Sequence, residues 1–328
     1  MNKELTQAES KNLRLSFTKY ISALILFGSN GVVASFINLP SYQIIMLRLG
    51  LGFAIIGSIA LIKNSLKGII KNRKDIFFVA HSGVFMGISF LFQYEAYDRI
   101  GISLTCIIYC LGPIFIVIVS QFIFRESMNL KKVMCLTAVT FGAIFTGGLS
   151  IEKGADALGI ICAVACALSY AGMIISNKKN KSVQGFSNTT IQLFSAFITV
   201  LIYNLIRQAV SGSFNLNISR SDILPILLLG VLNTGIGCYL YFVGIIKIPA
   251  QTVAVCDYLE PMTGIFFSAL ILHETIGPEK IIGAVLILSG TFFWNVNLQQ
   301  LHLIKPIKII HVKTNKQYYV GKQKVHKE

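Results

Sequence analysis

The chain has 328 residues, of which 54% are hydrophobic and only 13% are charged, and its mean hydropathy is +0.69. Soluble domains carry about 25% charged residues, so this composition excludes a soluble protein and predicts an integral membrane protein. The net charge of +15 does not indicate a nucleic-acid partner, because the lysines lie between long apolar runs and not on a polar domain.

Ten apolar runs follow one another along the chain, separated by short polar or charged stretches. An α-helix needs roughly 20 apolar residues to cross about 30 Å of hydrocarbon, and each run approaches or exceeds that length. The predicted spans are 18–37, 42–62, 76–97, 102–124, 131–148, 157–176, 188–207, 222–244, 249–272 and 279–298.

The positive charges are distributed unevenly between alternate loops. Of the 29 lysines and arginines, 23 fall on the side of the membrane that holds the N-terminus, five fall on the other side, and Arg48 lies within the second span. Cytoplasmic loops carry the excess of lysine and arginine in membrane proteins. We therefore predict a multi-pass protein of the cell membrane with both termini in the cytoplasm.

The sequence repeats itself at an offset of 148 residues. Pro113 and Glu126 in the fourth span and the loop after it match Pro261 and Glu274 in the ninth. Several further residues match without a gap: Leu111, Ser120, Lys132 and Gly142 fall on Leu259, Ser268, Lys280 and Gly290. The chain is therefore predicted to contain two copies of a five-helix unit.

Five is an odd number of spans, so the second copy enters the membrane from the opposite side. Inverted repeats of this kind are the construction plan of many secondary transporters. The predicted fold is an all-α membrane protein with ten transmembrane helices in two inverted five-helix repeats. Its predicted parts are a cytoplasmic segment at 1–17, the repeats at 18–149 and 157–298, an external linker at 150–156 and a basic cytoplasmic tail at 299–328.

Several short stretches in the two halves carry a family resemblance. They are FGSN at 27–30, Arg48, AY at 96–97, LGPIFIVIVSQFIFRES at 111–127 and LEPMTGIFFSALILHET at 259–275. Together they resemble the ten-helix EamA branch of the drug/metabolite transporter superfamily, over residues 18–298. The resemblance implies two inverted five-helix repeats around a central cavity, in a family whose members often export amino acids, metabolites or toxic compounds.

Two carboxylates occur inside the ninth span. Asp257 and Glu260 are three residues apart, so they share one helical face with Gly264 one turn further on. An ionised carboxylate that faces lipid costs several kcal/mol, so both should face the bundle interior and mark a pathway for substrate or protons. The alternative is a structural ion pair with Arg48, and the sequence leaves both open. The first-half counterparts of these acids, Tyr109 and Gly112, are uncharged.

The repeated prolines and glutamates suggest structural roles. Pro113 and Pro261 lie inside their spans, where each removes a backbone hydrogen bond and bends the helix, so we predict a pair of hinges. Glu126 and Glu274 each precede the next helix along the chain, so we predict that each caps the start of that helix.

Other polar residues inside the spans are weaker candidates for the wall of a cavity. Tyrosines suit an amphipathic substrate, because each offers an apolar face and one hydroxyl group, but a single tyrosine in a bundle is more often a packing residue. Glu95 lies near the outer end of the third span and could line an outer vestibule or reach the interface. The remaining candidates are Asn30, Gln93, Tyr94, Tyr170, Asn233, Tyr239, Tyr241 and Tyr258, with Tyr109 from above.

All seven cysteines fall within predicted spans, so they do not form an extracellular disulfide framework. The pairs Cys106/Cys110 and Cys162/Cys166 have a spacing that puts two thiols on one helix face, but small residues that pack helix against helix explain them better. The sequence predicts no metal site and no cofactor.

The favoured function is export of a small organic metabolite by a secondary transporter that works by alternating access, with proton coupling as an option. No nucleotide-binding P-loop motif is present, so ATP is not the predicted driver. An intramembrane enzyme is disfavoured because the chain has neither an HExxH nor a GxSxG motif. The alternative from another class is a membrane receptor or scaffold with the same fold that does not transport.

Overall fold

The computed structural model describes residues 2–66, 73–147, 156–211, 217–273 and 277–295. Most of the predicted linker at 150–156, the tail at 299–328 and Glu274 lie outside these ranges. The remaining statements concern the described residues.

Helices account for most of the described chain. In chain order they are α1 (Asn2–Gly28), α2 (Asn30–Ala34), α3 (Ser41–Ile62), α4 (Arg73–Ile100), α5 (Ile102–Tyr109), α6 (Leu111–Ile123), α7 (Leu130–Gly147), α8 (Ala157–Lys179), α9 (Phe186–Ser211), α10 (Arg220–Leu227), a π-helical segment (Leu228–Gly237), α11 (Cys238–Ile245), α12 (Ala250–Cys256), α13 (Leu259–Ile271) and α14 (Pro278–Asn295).

Helical segments therefore occur at each of the ten predicted span positions. Eight of these are long and apolar enough to cross a membrane. The other two, α7 and α14, have 18 residues each and pack against each other. Large apolar side chains cover the outside of the molecule, including Phe122 with 80% and Val210 with 84% of its surface exposed. A surface this apolar is suited to lipid and not to water.

Contacts between the two halves come in matched sets. The contact of α4 with α8 has its counterpart in that of α1 with α11, and the contact of α6 with α8 has its counterpart in that of α1 with α13. Three further contacts join equivalent spans of the two halves: α3 with α9, α7 with α14, and, between the fourth and ninth spans, α6 with α12. A two-fold relation between the halves requires this pattern.

Among the described residues, the interior contains four apolar clusters together with 24 buried polar or charged residues. Its largest cluster lies where α1, α3, α8, α9 and α11 meet, and includes Tyr20, Leu49, Ile174, Leu193 and Phe242. Because packed interiors have few voids, the polar groups within this core must find partners in the protein or face a cavity.

Two of the spans are broken into half-helices at equivalent points of the repeat. The fourth span is interrupted at Cys110, between α5 and α6, and the ninth at Asp257 and Tyr258, between α12 and α13. Pro113 and Pro261 are the third residues of α6 and α13, so each break falls before its proline and the proline lies in a first helical turn, where it is tolerated. The predicted bends are therefore breaks, displaced by three or four residues from the prolines.

Backbone groups exposed by the breaks find partners inside the bundle, as a low-dielectric interior requires. The amide of Glu260 donates to the Asp257 carbonyl at 3.0 Å. The Tyr258 hydroxyl donates to the Cys110 carbonyl at 2.7 Å and lies 3.1 Å from the Thr140 hydroxyl. A side chain at one break thus satisfies the backbone of the other.

Helices α7 and α14 cross at glycines. A Cβ atom added to Gly142 would lie 2.7 Å from the Gly283 carbonyl oxygen, and one added to Gly283 would lie 2.6 Å from the Gly142 carbonyl oxygen. Both distances are too short for a real contact, so the two backbones approach this closely only because side chains are absent. Small residues serve this purpose between membrane helices.

We expect Gly283→Ala to push α14 away from α7 and to lower the free energy of unfolding by about 1–3 kcal/mol. Thermal unfolding followed by the fluorescence of Trp294, the chain's single tryptophan and a residue of α14, measures the change. The matched control is Gly31→Ala, since a Cβ there meets no atom within 4 Å. Equal melting temperatures for the two variants would contradict the tight crossing.

Candidate functional site

Asp257 lies at the break in the ninth span and is surrounded by tyrosine hydroxyls. Tyr20 donates to its Oδ1 atom at 2.6 Å, Tyr170 donates to Oδ2, and the Tyr241 hydroxyl lies 3.3 Å from both oxygens. The Tyr20 hydroxyl also lies 2.8 Å from the Val253 carbonyl oxygen. We name Asp257 with Tyr20, Tyr170 and Tyr241 the tyrosine cage.

The tyrosine cage joins four elements of the bundle. Tyr20 belongs to α1, Tyr170 to α8 and Tyr241 to α11, while Asp257 follows α12. All four side chains are buried. Because hydrogen bonds occupy both carboxylate oxygens, the cage stabilises a buried acid and ties the helices together.

Glu260 lies one turn beyond Asp257 and has a different environment. Its side chain is half-buried and, in the described part of the chain, makes no hydrogen bond or ion pair. The charges of Asp257 and Arg48 act on it electrostatically. A carboxylate that has no hydrogen-bond or ion-pair partner within a membrane protein is available to bind a ligand or a proton.

Arg48 supplies the positive charge of this region. Its Nε atom donates to the Thr234 hydroxyl at 3.0 Å, and its guanidinium lies 5.2 Å from the centre of the Phe90 ring. Among the described residues, Arg48 forms no ion pair with Asp257 or Glu260, which the sequence had left open.

Two more predicted residues lie beside the tyrosine cage. The Tyr109 ring is 5.3 Å from the Tyr170 ring, and the charges of Glu260 and Asp257 both act on Tyr109. Tyr258 is buried and bonds the opposite break, as described above. The structure therefore gathers Tyr109 and Tyr258 with the two acids at the paired helix breaks.

Asn30, Asn233 and Tyr239 lie in other surroundings. Asn233, in the π-helical segment, donates from its side-chain amide to the Leu26 carbonyl at 2.9 Å, to the Ser29 hydroxyl at 2.8 Å and to the Asn30 side-chain oxygen at 3.0 Å. These contacts hold the junction of α1 and α2. Tyr239 stacks on another aromatic ring, that of Phe186, at 4.2 Å.

A cavity of about 300 Å³ lies at one end of the bundle. Tyr94 and Glu95, both candidates for the wall of a cavity, line it. Glu95 also accepts from Arg99 Nε at 2.7 Å, and Arg99 reaches Asp156, just before α8, at 3.0 Å. The polar side chains of the wall are Ser41, Tyr42, Tyr94, Glu95, Asp98, Tyr203 and Arg207. We name the end of the bundle that contains this cavity the cavity end.

The ion pair beside the cavity end connects the two halves of the chain. Hydrogen bonding from Arg99 lowers the pKa of Asp156 below its ordinary value. A lowered folded-state pKa stabilises the fold above the ordinary pKa of the group, and this contribution is lost as the pH falls through the lowered value. Both side chains are more than a third exposed, so the contribution is small.

Glu126 does cap a helix, but not the predicted one. Its carboxylate accepts from the amides of Ala250 and Gln251, at the start of α12 in the other half of the chain. Helix α7, which follows Glu126 along the chain, is capped by Asn129, whose side chain accepts from the Lys132 amide at 2.9 Å. The prediction was wrong about the helix because chain order does not reveal which helix start lies nearest in space.

The cage contains one residue that the sequence analysis missed. Tyr170 and Tyr241 were among the candidate tyrosines, but Tyr20 was not. The available signal was a tyrosine within the first apolar span. The described residues hold no group of three or more His, Cys, Asp or Glu that could bind a metal ion, and the seven cysteines are free thiols.

Comparison with known proteins gives one family and several relatives. The model of the EamA-like transporter family matches twice, at residues 18–148 and 157–296. The uncharacterised transporter YxxF of Bacillus subtilis (strain 168) is 21% identical over 284 residues, which cover 86% of this chain and 89% of that protein. A probable amino-acid metabolite efflux pump of Escherichia coli (strain K12) is 24% identical over 202 residues, which cover 60% of this chain and 67% of the pump.

A solved structure described only as the crystal structure of a protein has a similar fold. It superposes with a TM-score of 0.73 at 17% identity, and the match covers 89% of this chain and 99% of that one. At this identity the likeness concerns the fold alone.

Proposed function

Since this chain belongs to the EamA-like transporter family, we propose that it is a secondary transporter that moves a small organic solute by alternating access. The family membership and the long apolar helices make it a multi-pass transporter of the cell membrane. We further propose that the chain crosses the membrane ten times in two inverted repeats, that both termini are cytoplasmic, and that a polar pathway runs between the repeats. In this proposal the solute meets Glu260 near the two helix breaks.

The observation that carries the proposal is the contrast between the two acids of the ninth span. Asp257 is held by three tyrosine hydroxyls, whereas Glu260 has no partner among the described residues. A carboxylate inside a membrane span is costly unless a partner or a polar pathway compensates it, so such residues are most readily retained at a functional position. The half-helices that meet at this level are also the construction by which transporters form central sites.

Amino-acid metabolites are the solute class that we propose first. Two relatives, from Escherichia coli (strain K12) and Salmonella typhimurium (strain LT2), are named probable amino-acid metabolite efflux pumps. The charges support the same class, because Glu260 would complement an ammonium group and Arg48 a carboxylate. Polar tips and apolar faces of Tyr109 and Tyr94 suit the rest of an amphipathic molecule.

We propose efflux as the direction, again from the names of these relatives. If transport is coupled to protons, Glu260 is the group that we assign to the exchange, because Asp257 already has both oxygens bonded. The remaining predicted residues have positioning roles in this proposal, because their contacts hold the helices around the pathway. They are Asn30, Asn233, Tyr239 and Tyr258.

The test is solute flux through the purified protein in proteoliposomes. Metabolites inside and outside cells with and without the protein are compared first, and the compound that shifts is then followed as a radiolabelled tracer in counterflow. We expect accumulation of the tracer in vesicles that contain the protein and none in empty vesicles. Saturable binding of the compound without counterflow would instead favour the receptor or scaffold.

A further inference from the structure

The end of the bundle opposite the cavity carries a hydrogen-bonded contact between the repeats. Glu126 follows α6 in the first repeat, and its two carboxylate oxygens accept from the amides of Ala250 at 2.7 Å and Gln251 at 2.9 Å. Hydrogen bonds to a charged acceptor are about twice as strong as those between neutral groups. We name this contact the latch.

Side chains around the latch strengthen it. Gln251 is fully buried, and its side-chain amide donates to the Glu126 carbonyl at 3.2 Å. Lys132, at the start of α7, donates from Nζ to the Gln251 side-chain oxygen at 2.9 Å and to the Ser127 carbonyl at 2.6 Å. The first repeat therefore holds the start of α12 through backbone, amide and ammonium groups together.

The latch and the cavity lie at opposite ends of the molecule. Helix α4 ends at Ile100, beside the cavity wall formed by Leu91 to Asp98. The chain turns at Gly101, and α5 and α6 then run back through the bundle to Ile123 and Glu126. The structure thus has a cavity at one end and the hydrogen-bonded latch at the other.

The break after α12 allows the latched segment to move. Helix α12 contains seven residues and is separated from α13 by Asp257 and Tyr258. Asp257 and Tyr258 form a hydrogen-bonded turn between the two half-helices. A short segment of this kind at the end of a helix can act as a hinge, so that α12 tilts without bending the rest of the span. Opening at this end requires that Glu126 release the two amides.

We propose that Glu126 is a positioning residue of the transport cycle, and that the latch must break before the pathway opens at its end. This proposal rests on alternating access as proposed above. In that mechanism the two ends are linked, so a molecule whose latch is weakened spends more time open at the latch end and closed at the cavity end. A cap that only stabilises α12 would not affect the cavity end.

The test measures both ends in one preparation, in nanodiscs and without solute. Hydrogen–deuterium exchange of the peptide that contains Ala250 and Gln251 reports the latch. Labelling of Ser41→Cys by a membrane-impermeant thiol reagent, read at that position by peptide mass spectrometry, reports the cavity end. Site-specific reading keeps the seven native cysteines from interfering.

With Glu126→Gln we expect exchange at residues 250 and 251 to become about tenfold faster, because the charge on the acceptor is lost. We also expect slower labelling at position 41. Lys132→Met leaves Glu126 in place and should shift both readings in the same directions by less, so it carries the test if Glu126→Gln does not fold. Glu279→Gln makes the same chemical change at the exposed start of α14 and should alter neither reading.

Faster exchange at the latch with unchanged labelling at position 41 would overturn the proposal and leave Glu126 as a plain helix cap. Unchanged exchange in both latch variants would also overturn it. Because neither reading needs a solute, these outcomes are separate from a failure of transport. Loss of flux in the wild-type protein, together with linked changes at the two ends, would refute the proposed function while retaining the latch.

Discussion

Replacing Glu260 with glutamine is expected to lower solute flux by about 10- to 100-fold, because a charge-assisted hydrogen bond to the solute or an exchangeable proton is lost. The melting temperature should change little, since the described structure gives the Glu260 side chain no protein partner to lose. Initial rates of counterflow at several solute concentrations, with unfolding curves of the same preparations, measure both quantities.

Arg48→Gln is the informative companion to this variant. If an amino acid binds between Glu260 and Arg48, each substitution weakens the binding of one end of the solute. We expect Glu260→Gln to reduce discrimination against the deaminated acid, and Arg48→Gln to reduce discrimination against the decarboxylated amine. Wild-type flux and wild-type discrimination in Glu260→Gln would remove this acid from the pathway.

Replacing Asp257 with leucine is expected to have the larger effect on stability. The hydroxyls of Tyr170 and Tyr241 would lose their Asp257 acceptor in the buried interior, while Tyr20 retains the Val253 carbonyl oxygen. Each unsatisfied buried group costs about 1–3 kcal/mol. Allowing for rearrangement, we expect the free energy of unfolding to fall by about 3–5 kcal/mol. Unfolding followed by Trp294 fluorescence measures this loss.

Graded variants separate the hydrogen bonds of the cage from the volume of the side chain. Tyr170→Phe removes one hydroxyl and keeps the ring, so we expect a loss of about 1–2 kcal/mol. Asp257→Asn retains the shape and one acceptor oxygen and should fall between Tyr170→Phe and Asp257→Leu. If Asp257→Leu were as stable as the wild type, the tyrosine cage would have no structural importance and Asp257 would be the better candidate for the pathway.

Hydropathy explains why so much of the helical architecture could be predicted. A span is a property of about 20 consecutive residues, so its location needs no knowledge of its neighbours. The repeat gave additional local information, because matched prolines at positions 113 and 261 indicated disruption at matched points. The breaks fall three or four residues earlier because a proline removes the bond to the carbonyl one turn before it.

Partners across the bundle could not be predicted in the same way. Tyr20 and Asp257 are 237 residues apart in the chain. Their contact depends on how α1 packs beside the ninth span, and neither sequence neighbourhood encodes that packing by itself. The cap formed by Glu126 was assigned to the wrong helix for the same reason.

The difference between the two acids also required the structure. From the sequence, Asp257 and Glu260 were equivalent, since both are carboxylates inside one apolar run. The helix break sends their side chains into different surroundings, one among hydroxyl donors and one without a protein partner. Local spacing predicted a shared helical face, but the intervening break separates their environments.

The central claim is that Glu260 faces a polar pathway that is reached in turn from the two sides of the membrane. Labelling of Glu260→Cys with a membrane-impermeant thiol reagent, in right-side-out and in inverted vesicles, tests it most directly. We predict labelling in both orientations, slowed by the transported solute. Modification by lipid-soluble reagents alone, in either orientation, would show that position 260 faces the acyl chains and would contradict the claim.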